Sequence, residues 1–343
     1  MGCRGEHRAA SAGASGTCMT VSVIETIDTH TLGEPTRIVL NGFPELRGTT
    51  LKERSRDMLR SHGGTLRALM WEPRGHALMF GALVVPPTSP GTDLALVFMD
   101  GGGAVDMCVH GTMGAVTALV ETGRLKPGRD GRLTVEAPAG PVRVRVRRSG
   151  GRVAAVELEG VPSRSVATGL RVRSVGKVIA YDLAYGGNLI AIVRGEELQV
   201  KVAAERFREL VDAGRAIKRE AQRQWLRAKA RLGPWPEIVS VLIYQRLGPG
   251  RYRDLVVFRD NSVDRSPCGS CFAALMAQLH ATRRLRLDEW IACENLLRLA
   301  FLGRVVERGG DLIPQLSGSA FITGEHRFRI DTRDPLRHGF QLS

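Results

Sequence analysis

Cys268 lies between a run of strand-forming residues and a helical pattern. The run 254–258 is apolar after its first residue and favours a strand. Pro267, with a fixed φ and no backbone N–H, directly precedes the cysteine. Four apolar residues then recur at the three- and four-residue spacing of one helical face, at positions 272, 275, 276 and 279. The order predicts a strand, then Cys268, then a helix.

The same order occurs earlier in the chain, at Cys108. The apolar run 94–99 precedes this cysteine, and residues 115–119 after it predict a helix that ends at Gly123. A lone cysteine before a helix is most often a small buried apolar residue, and that alternative stays open for each site by itself. Two such units in one chain instead indicate two halves that each direct a thiol toward one pocket.

A thiol at the start of a helix lies near unpaired backbone N–H groups and the positive end of the helix dipole. Both favour the thiolate, so we expect the pKa of each thiol to lie below the ordinary value of about 8.5. A thiolate can act as a base and a thiol as an acid.

The remaining pattern is rich in strands and has few helices. Ser149, Gly150 and Gly151 predict a hairpin between the runs 142–146 and 153–158. The run 66–71 predicts another strand, and residues 202–225 carry apolar side chains on one helical face.

The 343 residues are enough for two domains of ordinary size, and 43% apolar residues fit a globular protein. Since no apolar run reaches about 18 residues, we expect no membrane partner. Segment 1–19 is small, polar and glycine-rich without the apolar core of a secretory signal, so we expect a disordered tail, with Met19 as a second candidate start. Six cysteines without regular spacing predict no disulfide framework, and therefore a cytoplasmic protein.

Cys268 and Cys271 have a spacing that also occurs in redox and zinc motifs. No second cysteine pair lies nearby and no thioredoxin-like strand order is visible, so this is the weaker interpretation. The sequence also lacks a glycine-rich dinucleotide loop and clustered metal ligands. Their absence agrees with a protein that uses neither a cofactor nor a metal.

A net charge of +14 raises the question of nucleic-acid binding. The arginines are dispersed, and Arg143, Arg145 and Arg147 alternate with valines, which is typical of a strand with one solvated face. With four Trp and four Tyr, the chain has no aromatic and basic array of the kind that stacks single strands. We therefore expect no nucleic-acid partner.

Several sequence blocks resemble the proline racemase family, which includes proline racemase, 4-hydroxyproline epimerase and trans-3-hydroxyproline dehydratase. The resemblance extends from about residue 27 to 340. The blocks occur in the family's order and are 28–37, 72–76, 107–112, 185–188, 264–269, 318–324 and 334–336.

The resemblance implies a diaminopimelate epimerase-like α/β (α+β) fold. Two pseudo-symmetric lobes would each wrap a curled, mainly antiparallel sheet around a central helix. The first lobe would comprise 20–165 and about 318–343 and carry Cys108, and the second would comprise 166–317 and carry Cys268. The family further implies a cofactor-independent isomerase that inverts Cα of proline or 4-hydroxyproline, and a possible homodimer.

The resemblance also implies site roles. Cys108 and Cys268 match the family's acid–base pair. Backbone N–H groups after each cysteine match those that hold the substrate carboxylate, and Asp264 and His110 match residues on the amine side of the substrate. These N–H groups belong to Val109, His110, Gly269 and Ser270. On spacing alone, His110 could instead cap or pack at a helix start, and Asp264 could be a turn residue.

Three positions near the cysteines depart from the family pattern. Val109 and Cys271 replace glycines, and Phe272 replaces a small polar residue. Two other functions stay open: a trans-3-hydroxyproline dehydratase, and a catalytically silent relative used for binding, which these three changes motivate. Dehydratases of the family typically replace one cysteine by Thr or Ser, so Cys268 argues against the first of these.

Overall fold

A computed structural model describes residues 21–174, 176–233, 235, 237–258 and 262–342. The predicted tail, residues 1–19, lies outside the described residues. In the described part of the chain, no helix combines the length and apolar character needed to cross a membrane.

Eighteen strands and five helices, with a short 3₁₀ turn at Ala204–Arg206, are assigned in the described residues. The strands are β1 (Val21–Thr31), β2 (Glu34–Asn41), β3 (Phe80–Val85), β4 (Leu94–Asp100), β5 (Gly103–Val105), β6 (Arg132–Ala137), β7 (Gly140–Ser149), β8 (Arg152–Glu159), β9 (Arg164–Ser174), β10 (Lys177–Tyr185), β11 (Leu189–Arg194), β12 (Ser240–Gly248), β13 (Arg251–Phe258), β14 (Ser262–Asp264), β15 (Ile291–Glu294), β16 (Ala300–Arg308), β17 (Asp311–Gly318) and β18 (Ala320–Asp331). The helices are α1 (Leu51–Met70), α2 (Val109–Glu121), α3 (Gly195–Leu198), α4 (Phe207–Leu232) and α5 (Gly269–Ala281).

The strand pairing repeats itself in the two halves of the chain. In the first half β1 pairs with β2, β2 lies parallel to β3, β3 pairs with β4, and β4 lies parallel to β6, which continues through β7 to β8. In the second half the strands β10, β11, β12, β13, β15, β16 and β17 follow the same order, with the same two parallel steps. Helices α1 and α2 connect the parallel steps of the first half, and α4 and α5 connect those of the second. The repeat explains the two strand–cysteine–helix units.

The two halves join where β8 pairs antiparallel with β17, and the last strand, β18, returns to pair with β1. The pairing of β9 with β10 is the counterpart of this in the second half. On these pairings we propose the lobe division that the sequence suggested, 20–165 with about 318–343, and 166–317.

Helices α2 and α5 are the central helices of the two halves. Helix α2 packs against β1, β2, β3, β8 and β18, and α5 packs against β9, β10, β11, β16 and β17. Every residue of α2 from Val109 to Val120 is buried. Both helices contribute to one apolar cluster that runs through both halves, while α1 and α4 cover separate clusters on the other side of the strands.

Several local predictions are confirmed. Gly150 and Gly151, with φ of 58° and 81°, form the two-residue turn between β7 and β8. Helix α2 ends before Gly123, and α4 covers most of the predicted helix 202–225, although it begins and ends later than predicted.

The predicted strand at 66–71 is wrong, because residues 66–70 are the end of α1. This helix begins with a capping box, in which Thr50 accepts a hydrogen bond from the Glu53 N–H and the Glu53 side chain accepts one from the Thr50 N–H. The buried residues Leu66 and Leu69 then lie on the helix face that packs into the core.

Candidate active site

Cys108 is the N-cap residue of α2, with an extended backbone (φ −145°, ψ 120°). Its Sγ accepts a hydrogen bond from the Gly111 N–H at 3.2 Å and lies 3.3 Å from Nδ1 of His110. Burial raises the pKa of the Cys108 thiol well above its ordinary value, although the Gly111 N–H favours the thiolate, and the carboxylates of Asp264 and Glu34 raise it further.

Cys268 is the N-cap residue of α5 and has an unusual backbone, with φ 38° and ψ 100°. Positive φ is rare for a residue with a side chain and tends to persist at functional sites. Its Sγ lies 3.6 Å from the Ser270 hydroxyl. A hydrogen bond with the Cys271 thiol raises the pKa of Cys268 well above its ordinary value, and burial and the Asp264 carboxylate add to this.

The expectation of lowered thiol pKa values is therefore wrong for both cysteines. Each thiol does lie at a helix start, as predicted, but Cys108 and Cys268 are only 8% and 7% exposed. At Cys108, loss of solvent disfavours the charged thiolate more than the helix terminus favours it, and at Cys268 the Cys271 hydrogen bond and burial together outweigh the helix terminus.

The starts of the two central helices meet. If Gly269 carried a Cβ atom, that atom would lie 2.3 Å from Cβ of Val109 and within 2.6 Å of both of its methyl carbons. Val109 follows Cys108 and Gly269 follows Cys268, so the first turns of α2 and α5 face each other across this contact. The geometry brings both predicted catalytic residues to one junction between the halves.

Asp264 ends β14 and precedes Cys268 by four residues. Its Oδ1 accepts hydrogen bonds from the N–H (2.8 Å) and the hydroxyl (2.7 Å) of Ser266, as in a turn. Its charge raises the pKa of both Cys108 and Cys268, which indicates that the carboxylate lies near both thiols. The turn role is thus real, and it places the carboxylate beside the junction.

His110 is buried in the first turn of α2, where its ring contacts the edge of Phe80 with 4.6 Å between centroids. Burial lowers the pKa of His110, opposed by Asp264, so the imidazole is neutral around pH 7. The packing role that the sequence left open for His110 is observed. The same ring also contacts the Cys108 sulfur.

The predicted backbone donors occupy the first turns of the two helices: Val109 and His110 in α2, and Gly269 and Ser270 in α5. The first bonds from a helix N–H to a helix carbonyl are made by Thr112 and Phe272, to the carbonyls of Cys108 and Cys268. The N–H groups before these have no carbonyl partner within the helix, although that of Gly111 already donates to the Cys108 sulfur. Such groups suit an anion.

Sequence reasoning missed Glu34, which lies inside the block 28–37. It is 7% exposed, and its Oε2 accepts a hydrogen bond from the Arg265 N–H at 2.7 Å, across 231 residues of sequence. Burial and the neighbouring Asp264 raise the pKa of Glu34 well above its ordinary value. A carboxylate directly after a Leu-Gly turn was the available signal, but its partner could not be seen in the sequence.

Of the departures from the family pattern, Phe272 does not face the junction. Its ring reaches β16, where a Cβ on Gly303 would lie 2.7 Å from it, and its side chain is fully buried in the core. In the part of the chain that the structure describes, no three His, Cys, Asp or Glu side chains are placed to hold a metal ion.

Comparison with known proteins places the chain in a family. The family model described as proline racemase matches residues 26–341. The proline racemase of Acetoanaerobium sticklandii is 36% identical over 329 residues, covering 93% of this chain and 98% of that protein. The probable 4-hydroxyproline 2-epimerase of Rhizobium meliloti is 35% identical over 339 residues, covering 94% and 99%.

Among solved structures, a hydroxyproline epimerase from Agrobacterium vitis with bound trans-4-OH-L-proline matches with a TM-score of 0.84. It is 24% identical and covers 94% of this chain and 96% of that one. This likeness confirms the expected diaminopimelate epimerase-like fold. The chain belongs to the proline racemase family.

Proposed function

We propose that this protein is a cofactor-independent racemase or epimerase that uses two cysteines to invert Cα of proline or 4-hydroxyproline. The observation that carries the proposal is the meeting of two helix starts, each capped by a buried free cysteine, at one junction. A thiolate removes the Cα proton from one face, and the thiol of the other cysteine delivers a proton to the opposite face.

The groups around the junction suit such a substrate. N–H groups in the first turns of α2 and α5 would bind the carboxylate and the negative charge that develops next to it when Cα loses its proton. The Asp264 carboxylate and the neutral His110 ring would bind the substrate amine.

The first test is incubation of the purified protein with L-proline, trans-4-hydroxy-L-proline and trans-3-hydroxy-L-proline in deuterated water. We expect inversion with one deuterium at Cα for at least one of the first two. A ketimine-derived product from the third would instead indicate a dehydratase. No reaction with any of them would support a silent relative, with Val109 filling the space beside Gly269 as the structural reason.

The free thiols of Cys108, Cys268, Cys271 and Cys293 support a reducing compartment, and we propose the cytoplasm. We also propose that a homodimer forms, as the resemblance implies, which the mass measured by light scattering would test.

Replacing Cys271 by alanine should preserve inversion and shift its pH dependence. The Cys271 thiol is the largest cause of the raised pKa of Cys268, so its loss should lower that pKa. The Cys268 thiolate then forms at lower pH, and the ascending limb of kcat/KM should move to lower pH for the enantiomer that Cys268 deprotonates. The measurement is kcat/KM against pH in both directions of the reaction. Because the two cysteines titrate as a coupled pair, the apparent pKa values belong to the pair.

Cys271→Ser is the matched control, because its hydroxyl can still hydrogen-bond to Cys268. We expect its profile to lie between those of the wild type and of Cys271→Ala. Loss of inversion in Cys271→Ala would show instead that Cys271 takes part in the reaction.

A further inference from the structure

The turn between β1 and β2 points toward the other half of the molecule. It consists of Leu32 and Gly33, with φ of 50° and 103°, and is closed by the pairing of Thr31 with Glu34. Positive φ is unfavourable for leucine. Leu32 is also buried, with 6% of its surface exposed, so other residues surround it. A costly backbone conformation persists only where surrounding contacts maintain it.

Those contacts come from Arg265 and Asn295 of the second half. The Glu34 carboxylate accepts the hydrogen bond from the Arg265 N–H at 2.7 Å, while the Asn295 amide donates to the Arg265 carbonyl at 2.5 Å. The same amide nitrogen donates to the Leu32 carbonyl at 2.7 Å. The backbone of Arg265 is therefore bonded on both sides, and one side chain joins it directly to the turn.

Asn295 is 4% exposed and its amide is used completely. Its Oδ1 accepts hydrogen bonds from the N–H groups of Leu297 and Leu299, both at 3.0 Å, in addition to the two bonds that Nδ2 donates. The two ends of this side chain thus do different things: the oxygen shapes its own loop, and the nitrogen links the two halves.

Both ends of this connection adjoin a catalytic cysteine. The Thr31 hydroxyl donates to the His110 carbonyl at 2.9 Å, in the first turn of α2, two residues after Cys108. Arg265 follows Asp264 and lies three residues before Cys268. The approach is close, because a Cβ on Gly33 would lie 3.3 Å from the Arg265 carbonyl oxygen.

We propose that Glu34 and Asn295 are positioning residues that hold the loop before Cys268 at a set distance from Cys108. The catalytic consequence rests on the proposed function, since inversion requires both sulfurs to reach one Cα atom from opposite faces. Neither residue has to touch the substrate. A shift of about 1 Å between the two reacting groups is enough to cost about 10²-fold in rate.

Glu34→Ala removes the acceptor of the Arg265 N–H, so we expect kcat to fall by about tenfold or more in both directions, with a smaller change in KM. Glu34→Gln is neutral but keeps an amide oxygen at the same place, and it should restore most of the rate. The rescue is expected because the amide oxygen of glutamine can accept the same hydrogen bond from the Arg265 N–H. Equal loss in both variants would overturn the positioning role.

Asn295→Asp is the second variant. It keeps the oxygen that accepts from Leu297 and Leu299 and replaces the nitrogen that donates to Leu32 and Arg265. We expect the same fall in kcat as in Glu34→Ala. An unchanged kcat in Asn295→Asp would contradict the proposal.

A readout without turnover keeps the inference separate from the proposed function. In Glu34→Ala and Asn295→Asp, the rates of iodoacetamide labelling of Cys108 and Cys268, measured per cysteine by peptide mass spectrometry, should rise. The labelling rates of Cys271 and Cys293, which are fully buried, should stay at the wild-type values. An equal rise at all four thiols would show general loosening, and no rise at any would show that the bonds do not hold the junction; either result overturns the proposal. This holds even if the wild type acts on no proline substrate.

Discussion

Changing either Cys108 or Cys268 to serine should lower kcat/KM for inversion by on the order of 10³-fold. A hydroxyl is a far weaker acid than a thiol, so serine can neither form the base nor serve as the proton donor at neutral pH. Each cysteine caps its own helix at the shared junction, and loss of either should slow inversion to this extent from both enantiomers. The measurement is the initial rate of inversion from each enantiomer in deuterated water.

Cys293→Ser is a control for these variants, because it changes a buried free thiol on β15 that the proposed reaction does not use. It should keep the wild-type rate once the folded fraction is matched by circular dichroism. Inversion that survives in Cys108→Ser but is lost in Cys271→Ala would overturn the assignment of the pair.

The second large effect is expected for Gly186→Ala. Gly186 lies between β10 and β11, and a Cβ atom there would lie 2.3 Å from the carbonyl oxygen of Ser270 and 2.5 Å from the backbone nitrogen of Ala274. Both are backbone atoms of α5, which cannot rotate away as a side chain can. We expect a loss of about 1–3 kcal/mol in the free energy of unfolding, as for an overpacked core.

The same substitution should reduce the rate of the folded enzyme by about 10²-fold, because displacing Ser270 also displaces Cys268 at the head of the helix. Denaturant unfolding and kcat, measured on the same preparation, would test both effects. Gly248→Ala is the matched control: beyond the residue itself and its two chain neighbours, no atom lies within 4 Å of the added Cβ, so stability and rate should stay near wild type. Wild-type behaviour of Gly186→Ala would show that α5 can move without consequence.

Local patterns predicted the elements that carry the site. The starts of α2 and α5 were found because apolar spacing and a preceding proline or strand are visible within about fifteen residues. The same reasoning failed at 66–71, where a short apolar run was interpreted as a strand. The competing signal was the Thr50–Glu53 capping box at the other end of α1, 16 residues upstream of Leu66.

By itself, the sequence determined the two strand–cysteine–helix units, the cysteine at the head of each helix and, through its motif blocks, the family. Only the tertiary structure decided that Val109 meets Gly269, that Glu34 binds the backbone of Arg265 and that Asn295 joins the two halves. It also reversed the expected shift of the thiol pKa values. The reason is the same in each case: spacing along the chain describes local backbone preference, whereas contacts between distant residues and the loss of solvent around a thiol depend on how the two halves pack.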